Sequence, residues 1–197
     1  PAMINDWRKK WGKDFPFYWV QLANYMDAVE VPSESLWAQV REAQTQTLSL
    51  SHTGQAVIID IGEAKDIHPK NKQEVGRRLA LHALHNDYGF SDVVCESPMP
   101  KTVRRVQDKI VVQFDNVADG LIVKNKYGYL MSFAVAGNDG VYKWVQAKVA
   151  GKDRVVLSCP DVIDPVSVRY AWGDNPDDAN LYNSVGLPAT PFEIKIE

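Results

Sequence analysis

The chain has few of the residues that would announce a stapled, metal-bound or membrane-embedded protein. Only two cysteines, Cys95 and Cys159, stand among its 197 residues. A pair so far apart forms neither the spacing of a zinc site nor a disulfide framework. Long apolar runs are missing too: the longest, Ala56 to Ile59 with Ile61 beyond Asp60, falls well short of the roughly 20 residues of a membrane helix. No signal-peptide pattern opens the chain. Nor is there a basic excess, since 22 Lys and Arg face 25 Asp and Glu for a formal charge of −3. That balance argues against nucleic acid as a partner, and the densest basic stretch, Lys101 to Arg105, reads as a solvated strand flank. Repeats and low-complexity segments are also absent.

What is present is a globular composition: 45% apolar, 24% charged and 10% aromatic residues. Such a chain buries one ordinary core or two small ones. Met3, Trp7 and Trp11 recur at intervals of four ahead of Gly12, the pattern of an amphipathic helix with a glycine stop. The opening "PAMINDW" lies inside that helix with no strand before it, so an N-terminally incomplete polypeptide is expected. "PFYWVQL", from Pro16 to Leu22, is apolar and β-branched at strand length, which predicts a strand covered on both faces. Ser33 or Ser35 then caps a helix whose predicted inner face is Leu36, Val40, Ala43 and Thr47. A second buried strand is expected over Gln55 to Ile61, and a last helix begins at Asn71 with Glu74 three residues on. Its predicted inner stripe is Val75, Leu79 and Ala83.

Strand, helix, strand, helix implies parallel β/α units. Two strands leave unpaired edges and uncovered apolar surface, so further strands are expected from a preceding segment. After "SPMPKT" the period changes to two: "KIVVQF", "YLMSFAVA", "VYKWVQAKVA", "RVVLSC" and "VSVRYAW" alternate with turn signals, which predicts an antiparallel sandwich. The expected division is an α/β part over residues 1–96, a linker over 97–102, and a β-sandwich over 103–197. The last ends in a long Asn-, Asp-, Gly- and Pro-rich loop from Gly173 to Pro191.

In open parallel sheets, ligands sit beyond the carboxyl ends of the strands. The loop from Gly62 to Pro69 belongs there and carries Glu63, Asp66 and His68. A Ser-His-Asp hydrolase needs an imidazole to accept the serine proton and an acid or carbonyl to fix its tautomer. His68 with Asp66 or Asp60 has that composition, while an acid-x-His triplet beside Pro69 also describes an ordinary exposed loop histidine. Gln21, at the end of the first strand, is a candidate for substrate contact at the same edge or for strand-end hydrogen bonding. His82 and His85 share a helix face but no carboxylate or cysteine joins them at metal spacing, so they read as solvated. Tyr142, Trp144, Tyr170 and Trp172 read as sandwich core rather than a sugar platform. Asp174, Asn175, Asp177 and Asp178 lack the spacing of a calcium loop.

The stretch "VIIDIGEAKDIHPKNKQEVGRRLALHAL", with "DWRKKWG", "FYWVQLANY", "SESLWAQVREAQ" and the tail "VRYAWGDNPDDANLYNSVGLPATPF", resembles the C-terminal part of sialate O-acetylesterases, a family of SGNH hydrolases. The resemblance covers nearly the whole chain. It implies an α/β fold, part of a flavodoxin-like three-layer parallel sheet, followed by the all-β antiparallel sandwich. It further implies acetyl-ester cleavage from O-acetylated sugars without a cofactor, export from the cell, and a histidine base that maps onto His68.

Two departures shape the expectation. The general SGNH acid stands three residues before the histidine, but here that position is Lys65 and Asp66 stands two before. Asp66 is therefore the first choice of acid, Asp60 the second, and a backbone carbonyl the third. The family's serine block, of the Gly-Gln-Ser-Asn type, and its oxyanion-hole glycine and asparagine blocks are absent. This chain is expected to be inactive by itself, with an N-terminal segment of the same protein supplying the serine and the oxyanion hole. An acetyl-xylan-type esterase and a non-catalytic glycan-binding or stabilising sandwich are the alternatives.

Overall fold

The computed structural model describes all 197 residues. The chain opens with α1 (Ala2–Trp11), β1 (Phe17–Val20), α2 (Leu36–Gln46), β2 (Thr53–Ala56) and α3 (Lys72–Asn86). From there it is all strand: β3 (Met99–Val106), β4 (Lys109–Asp115), β5 (Leu121–Val123), β6 (Phe133–Ala136), β7 (Tyr142–Trp144), β8 (Gln146–Ala150), β9 (Arg154–Ser158), β10 (Ser167–Tyr170), β11 (Leu181–Asn183) and β12 (Phe192–Lys195). β1 and β2 form a parallel pair, with Phe17 opposite Thr53 and Val20 opposite Ala56. Two four-stranded antiparallel sheets follow, ordered β3-β4-β9-β8 and β12-β10-β6-β7, with β5 and β11 as a separate pair. The architecture is thus a small parallel α/β unit joined to a larger antiparallel part. No helix is long and apolar enough to cross a membrane.

Local chemistry sets the helix ends. Gly12 adopts φ 62° and ends α1, with its N–H on Lys9 O and that of Lys13 on Arg8 O, a glycine-dependent stop. Of the two candidate caps for α2, Ser35 does the work: its Oγ accepts from Ala38 N–H at 2.9 Å. Asn71 caps α3 by accepting from Glu74 N–H at 3.1 Å.

The helices turn other faces inward than periodicity predicts. Ile4 is the buried residue of α1, while Trp11 is 74% exposed. α2 buries Ala38 and Arg41 and leaves Leu36 78% exposed. α3 buries Arg78 and His82 rather than Val75, Leu79 and Ala83. Apolar spacing identifies which side chains share a face, but the partner decides which face is covered. Here the inner faces carry long polar side chains that reach backbone carbonyls of the parallel unit.

Four other expectations change. The second strand ends at Ala56 instead of Ile61, and Val57 and Ile59 leave the ladder to join the sandwich core. The expected linker over 97–102 is occupied from Met99 onward by β3, paired along β4. The run "VYKWVQAKVA" is two strands, because at Val145 the chain passes from the β6-β7 edge to the β8-β9 edge, a way sandwiches turn corners. The core unites both sheets, with the rings of Phe133, Tyr170 and Phe192 in tilted and edge-to-face contact at 4.7 to 6.4 Å and Phe114 beside Phe192. The tail from Gly173 is no solvated loop. It contains β11 and buries Asn175, Asn180, Leu181, Asn183, Leu187, Ala189 and Thr190. Its asparagines bond backbone: Asn183 Oδ1 takes Leu187 N–H and Asn180 Oδ1 takes Met131 N–H.

α3 packs across β1 and β2 through His82, which is buried, against expectation. Its Nε2 lies 3.1 Å from Gln55 O and its ring stacks on Tyr18 at 5.7 Å. Gly54 makes room for it, since a Cβ there would meet Nδ1 at 2.5 Å. Burial holds the His82 pKa below its ordinary value, against the opposing pull of the Gln55 carbonyl. The imidazole is then neutral when folded and gains a proton more readily when unfolded. Stability should accordingly decline as the pH falls through about 6.5, the unfolded value. Thermal melts between pH 8 and 5 check this: His82→Gln should flatten that slope, and an unchanged slope would assign the acid sensitivity elsewhere.

Candidate functional site

Because β1 and β2 run parallel, the segments that follow them, residues 21–35 and 57–70, emerge at the same edge. They meet there: Met26 N–H donates to Ala64 O at 3.0 Å. The chain from Gly173 joins them, with Tyr25 N–H on Asp174 O at 3.2 Å. Three segments distant in sequence therefore converge on the edge where a parallel α/β unit presents its ligand site.

His68 is on the outer turn of the second segment, with its side chain 81% exposed. Asp66 sits beside it, and one carboxylate oxygen, Oδ1, accepts the His68 backbone N–H at 2.9 Å and lies 3.3 Å from ring Nδ1. This is an Asx-type turn, in which a side chain reaches the backbone two residues on. The two-residue spacing thus brings acid and imidazole together without the longer spacing of the general pattern. The Asp66 pKa is held below the usual carboxylate value first by the backbone hydrogen bond and then by the His68 ring. In the tautomer that carries its proton on Nδ1, the ring donates to Asp66 and leaves the Nε2 lone pair free. Lys70 pairs with Glu63 at 2.6 Å across the loop's base, and Glu63 raises the Lys70 pKa through that bond.

Asp60, the second candidate acid, is engaged elsewhere. Both its oxygens face Arg78, Nη1 at 2.6 Å and Nη2 at 2.9 Å, and Tyr182 Oη donates to it at 3.2 Å. Glu74 completes the cluster by bonding Arg77 and Arg78, and the Arg77 bond leads in lowering its pKa to about 2. Burial works against the charge on Arg78, but its bonds to Asp60 and Glu74 raise its pKa on balance. Lys124 lies 3.5 Å from the centre of the Tyr182 ring. Asp60 links the segment after β2 to α3 and β11.

Gln21 is fully buried and points to α2, where Nε2 donates to Arg41 O at 3.2 Å and Thr45 Oγ1 at 3.0 Å. The candidate substrate contact is therefore corrected to an interior one. His85 Nδ1 sits 2.8 Å from Val93 O. Tyr170 and Trp172 are core residues, whereas Trp144 is 43% exposed with Nε1 on Glu30 O. Trp144 borders an open groove of about 310 Å³ with Asp177 and Asp178. Two acidic residues of the tail are engaged by serines, Asp174 by Ser35 at 2.6 Å and Asp178 by Ser132. No group of three His, Cys, Asp or Glu side chains is gathered to hold a metal ion.

Periodicity and motifs single out neither Arg41 nor Asn24, and they raise Asn175 only as a calcium-loop oxygen. Arg41 has no exposed surface and donates to four carbonyls: Leu22 and Ala23 after β1, Gly173 and Asp174 in the tail, at 2.6 to 2.8 Å. Burial lowers its pKa to about 10, with Asp174 acting in the opposite direction, so it remains charged at neutral pH. The one available signal was an arginine on the face opposite the apolar stripe, which periodicity reads as solvated.

Comparison with known proteins follows this geometry. No family model matches the chain. It is 28% identical over its full length to the sialate O-acetylesterase of Mus musculus and 28% over 98% of it to that of Homo sapiens. The chain spans 40% and 41% of those relatives' lengths. A carbohydrate acetylesterase from Xanthomonas citri superposes with a TM-score of 0.90 at 44% identity, over 98% of this chain and 44% of that one. Over nearly its whole length the chain is thus similar in sequence to part of the sialate O-acetylesterases and in fold to part of a carbohydrate acetylesterase.

Proposed function

We propose that this chain is the C-terminal part of a serine carbohydrate O-acetylesterase, supplying the catalytic base His68 and its acid Asp66. The observation that carries the reading is the oriented imidazole: Nδ1 lies 3.3 Å from Asp66 Oδ1, in the loop that follows the second parallel strand. In the reaction, His68 Nε2 takes the proton of a serine hydroxyl while its oxygen bonds to the acetyl carbonyl carbon. The imidazolium then protonates the sugar oxygen as the ester bond breaks. Water, deprotonated by the same nitrogen, cleaves the acyl-serine to acetate and returns the serine its proton. Asp66 keeps Nδ1 protonated and balances the charge formed on the ring.

The serine and the oxyanion hole belong, in this reading, to a preceding segment of the same protein. Two facts support that partner. The chain covers about two fifths of its curated relatives' length, and Trp7, Trp11, Leu36 and Val40 leave apolar surface open on the helices beside a two-stranded parallel sheet, surface that further β/α units would cover. The substrate class is an O-acetylated sugar, and export to the periplasm or cell exterior is part of the same reading. The sandwich stabilises the α/β unit, since Val57 and Ile59 share its core.

The complete protein should hydrolyse p-nitrophenyl acetate, whereas the 197-residue chain should give no turnover above buffer until the preceding segment is added. Turnover by the chain alone would show that its nucleophile lies within these residues.

A further inference from the structure

We propose that Asn24 and Asn175 are positioning residues, a pair of amides that ties the C-terminal segment to the base of the His68 loop and sets where the imidazole sits. The inference rests on the reading of His68 as the base. Both asparagines are buried. Gly62 N–H donates to Asn24 Oδ1 at 2.7 Å, Asn24 Nδ2 donates to Asn175 Oδ1 at 2.7 Å, and Asn175 Nδ2 donates to Met26 O at 2.7 Å. The chain of bonds has one possible direction. A backbone N–H at one end can only donate and a carbonyl at the other can only accept, so both amide orientations are fixed.

The relay holds the loop at its root. Met26, whose O ends the relay, uses its own N–H to bind Ala64 O, and does so with φ 76°, a backbone state that a non-glycine residue keeps only when its surroundings hold it. Gly62 is pressed against the relay: a Cβ there would stand 2.2 Å from Asn24 O and 2.3 Å from Asn24 Oδ1. Beyond Ala64 the loop braces itself through the Glu63–Asp66 bridge, the Glu63–Lys70 pair and the Asp66–His68 contacts. Apart from the Glu63–Lys70 pair, Ala64 O provides the hydrogen bond from residues 63–68 to the rest of the molecule, and buried Pro69 closes the far end. A turn that is rigid within itself and pinned at its root moves as a unit, so the pins fix the position of His68. Arg41 seats the other end of the tie by holding Gly173 and Asp174 O.

Isosteric variants of the complete protein test this. Asn175→Asp cannot donate to Met26 O, and Asn24→Asp opposes Asn175 Oδ1 while still accepting from Gly62. Each should lower kcat for p-nitrophenyl acetate about 10- to 100-fold per folded molecule, with KM within about twofold, because displacement of a base by about 1 Å acts on the chemical step. Hydrogen exchange at the Gly62 amide should quicken in the same variants. Asn175→Ser reads the same way without a buried charge if an aspartate variant fails to fold. An unchanged kcat per folded molecule, beside an inactive His68→Ala control, would overturn the tie and leave the base assignment standing. A fully active His68→Ala would overturn both.

Discussion

Replacing His68 by alanine in the complete protein should lower kcat on acetyl esters by about a thousandfold or more, with the melting temperature within a few degrees of the parent. The size follows from the role: loss of one member of a serine-histidine-acid set leaves only the residual catalysis of binding and oxyanion stabilisation. The small effect on stability follows from exposure, since the ring is 81% exposed and touches one carboxylate at 3.3 Å, and exposed ion pairs add little. Two companion variants separate the acids. Asp66→Asn should reduce kcat about 10- to 100-fold, because an amide can present its own N–H to Nδ1 and favour the wrong tautomer. Asp60→Asn should act on unfolding more than on turnover, because Asp60 answers Arg78 and Tyr182. Near-normal kcat in His68→Ala would remove the base; a larger kcat loss in Asp60→Asn than in Asp66→Asn would reassign the acid.

The second large effect is on folding. Arg41→Met should destabilise the protein by about 3 kcal/mol or more, read as a lower denaturation midpoint at an unchanged m-value. Ala23 O would retain Trp37 Nε1 and Asp174 O would retain Tyr25 N–H, but Leu22 O and Gly173 O would lose the donors that now sit at 2.8 and 2.6 Å. Leaving buried carbonyls unpaired costs about 1 to 3 kcal/mol each. Arg41→Lys should recover only part of this, since one ammonium cannot span carbonyls from two segments as the planar fork does. A loss below about 1 kcal/mol in Arg41→Met would mean that water or neighbouring donors replace the guanidinium.

Much of the fold is legible in local chemistry. The glycine stop at Gly12, the cap at Asn71, the strand at Trp19, the buried apolar run at Ile58, and the change to strand periodicity after Thr102 all report interactions within a few residues. The pairing of Asp66 with His68 is equally local, closed across two residues. The faces of α1 and α2 are not legible in the same way, because the pattern names a stripe and only the packing partner selects it. His82 shows the same limit: beside His85 it reads as solvated, yet a glycine on the neighbouring strand admits its ring.

The sequence by itself determined the class of structure, the loop that carries His68, and the pairing of Asp66 with it, because these depend on propensities and contacts between near neighbours. Only the tertiary structure decided that Asp60 answers Arg78, that Arg41 lies buried among carbonyls, and that Asn24 meets Asn175 across 151 positions. A buried polar group must find a partner wherever the fold brings one, and no local pattern of residues encodes the address of a partner that far along the chain.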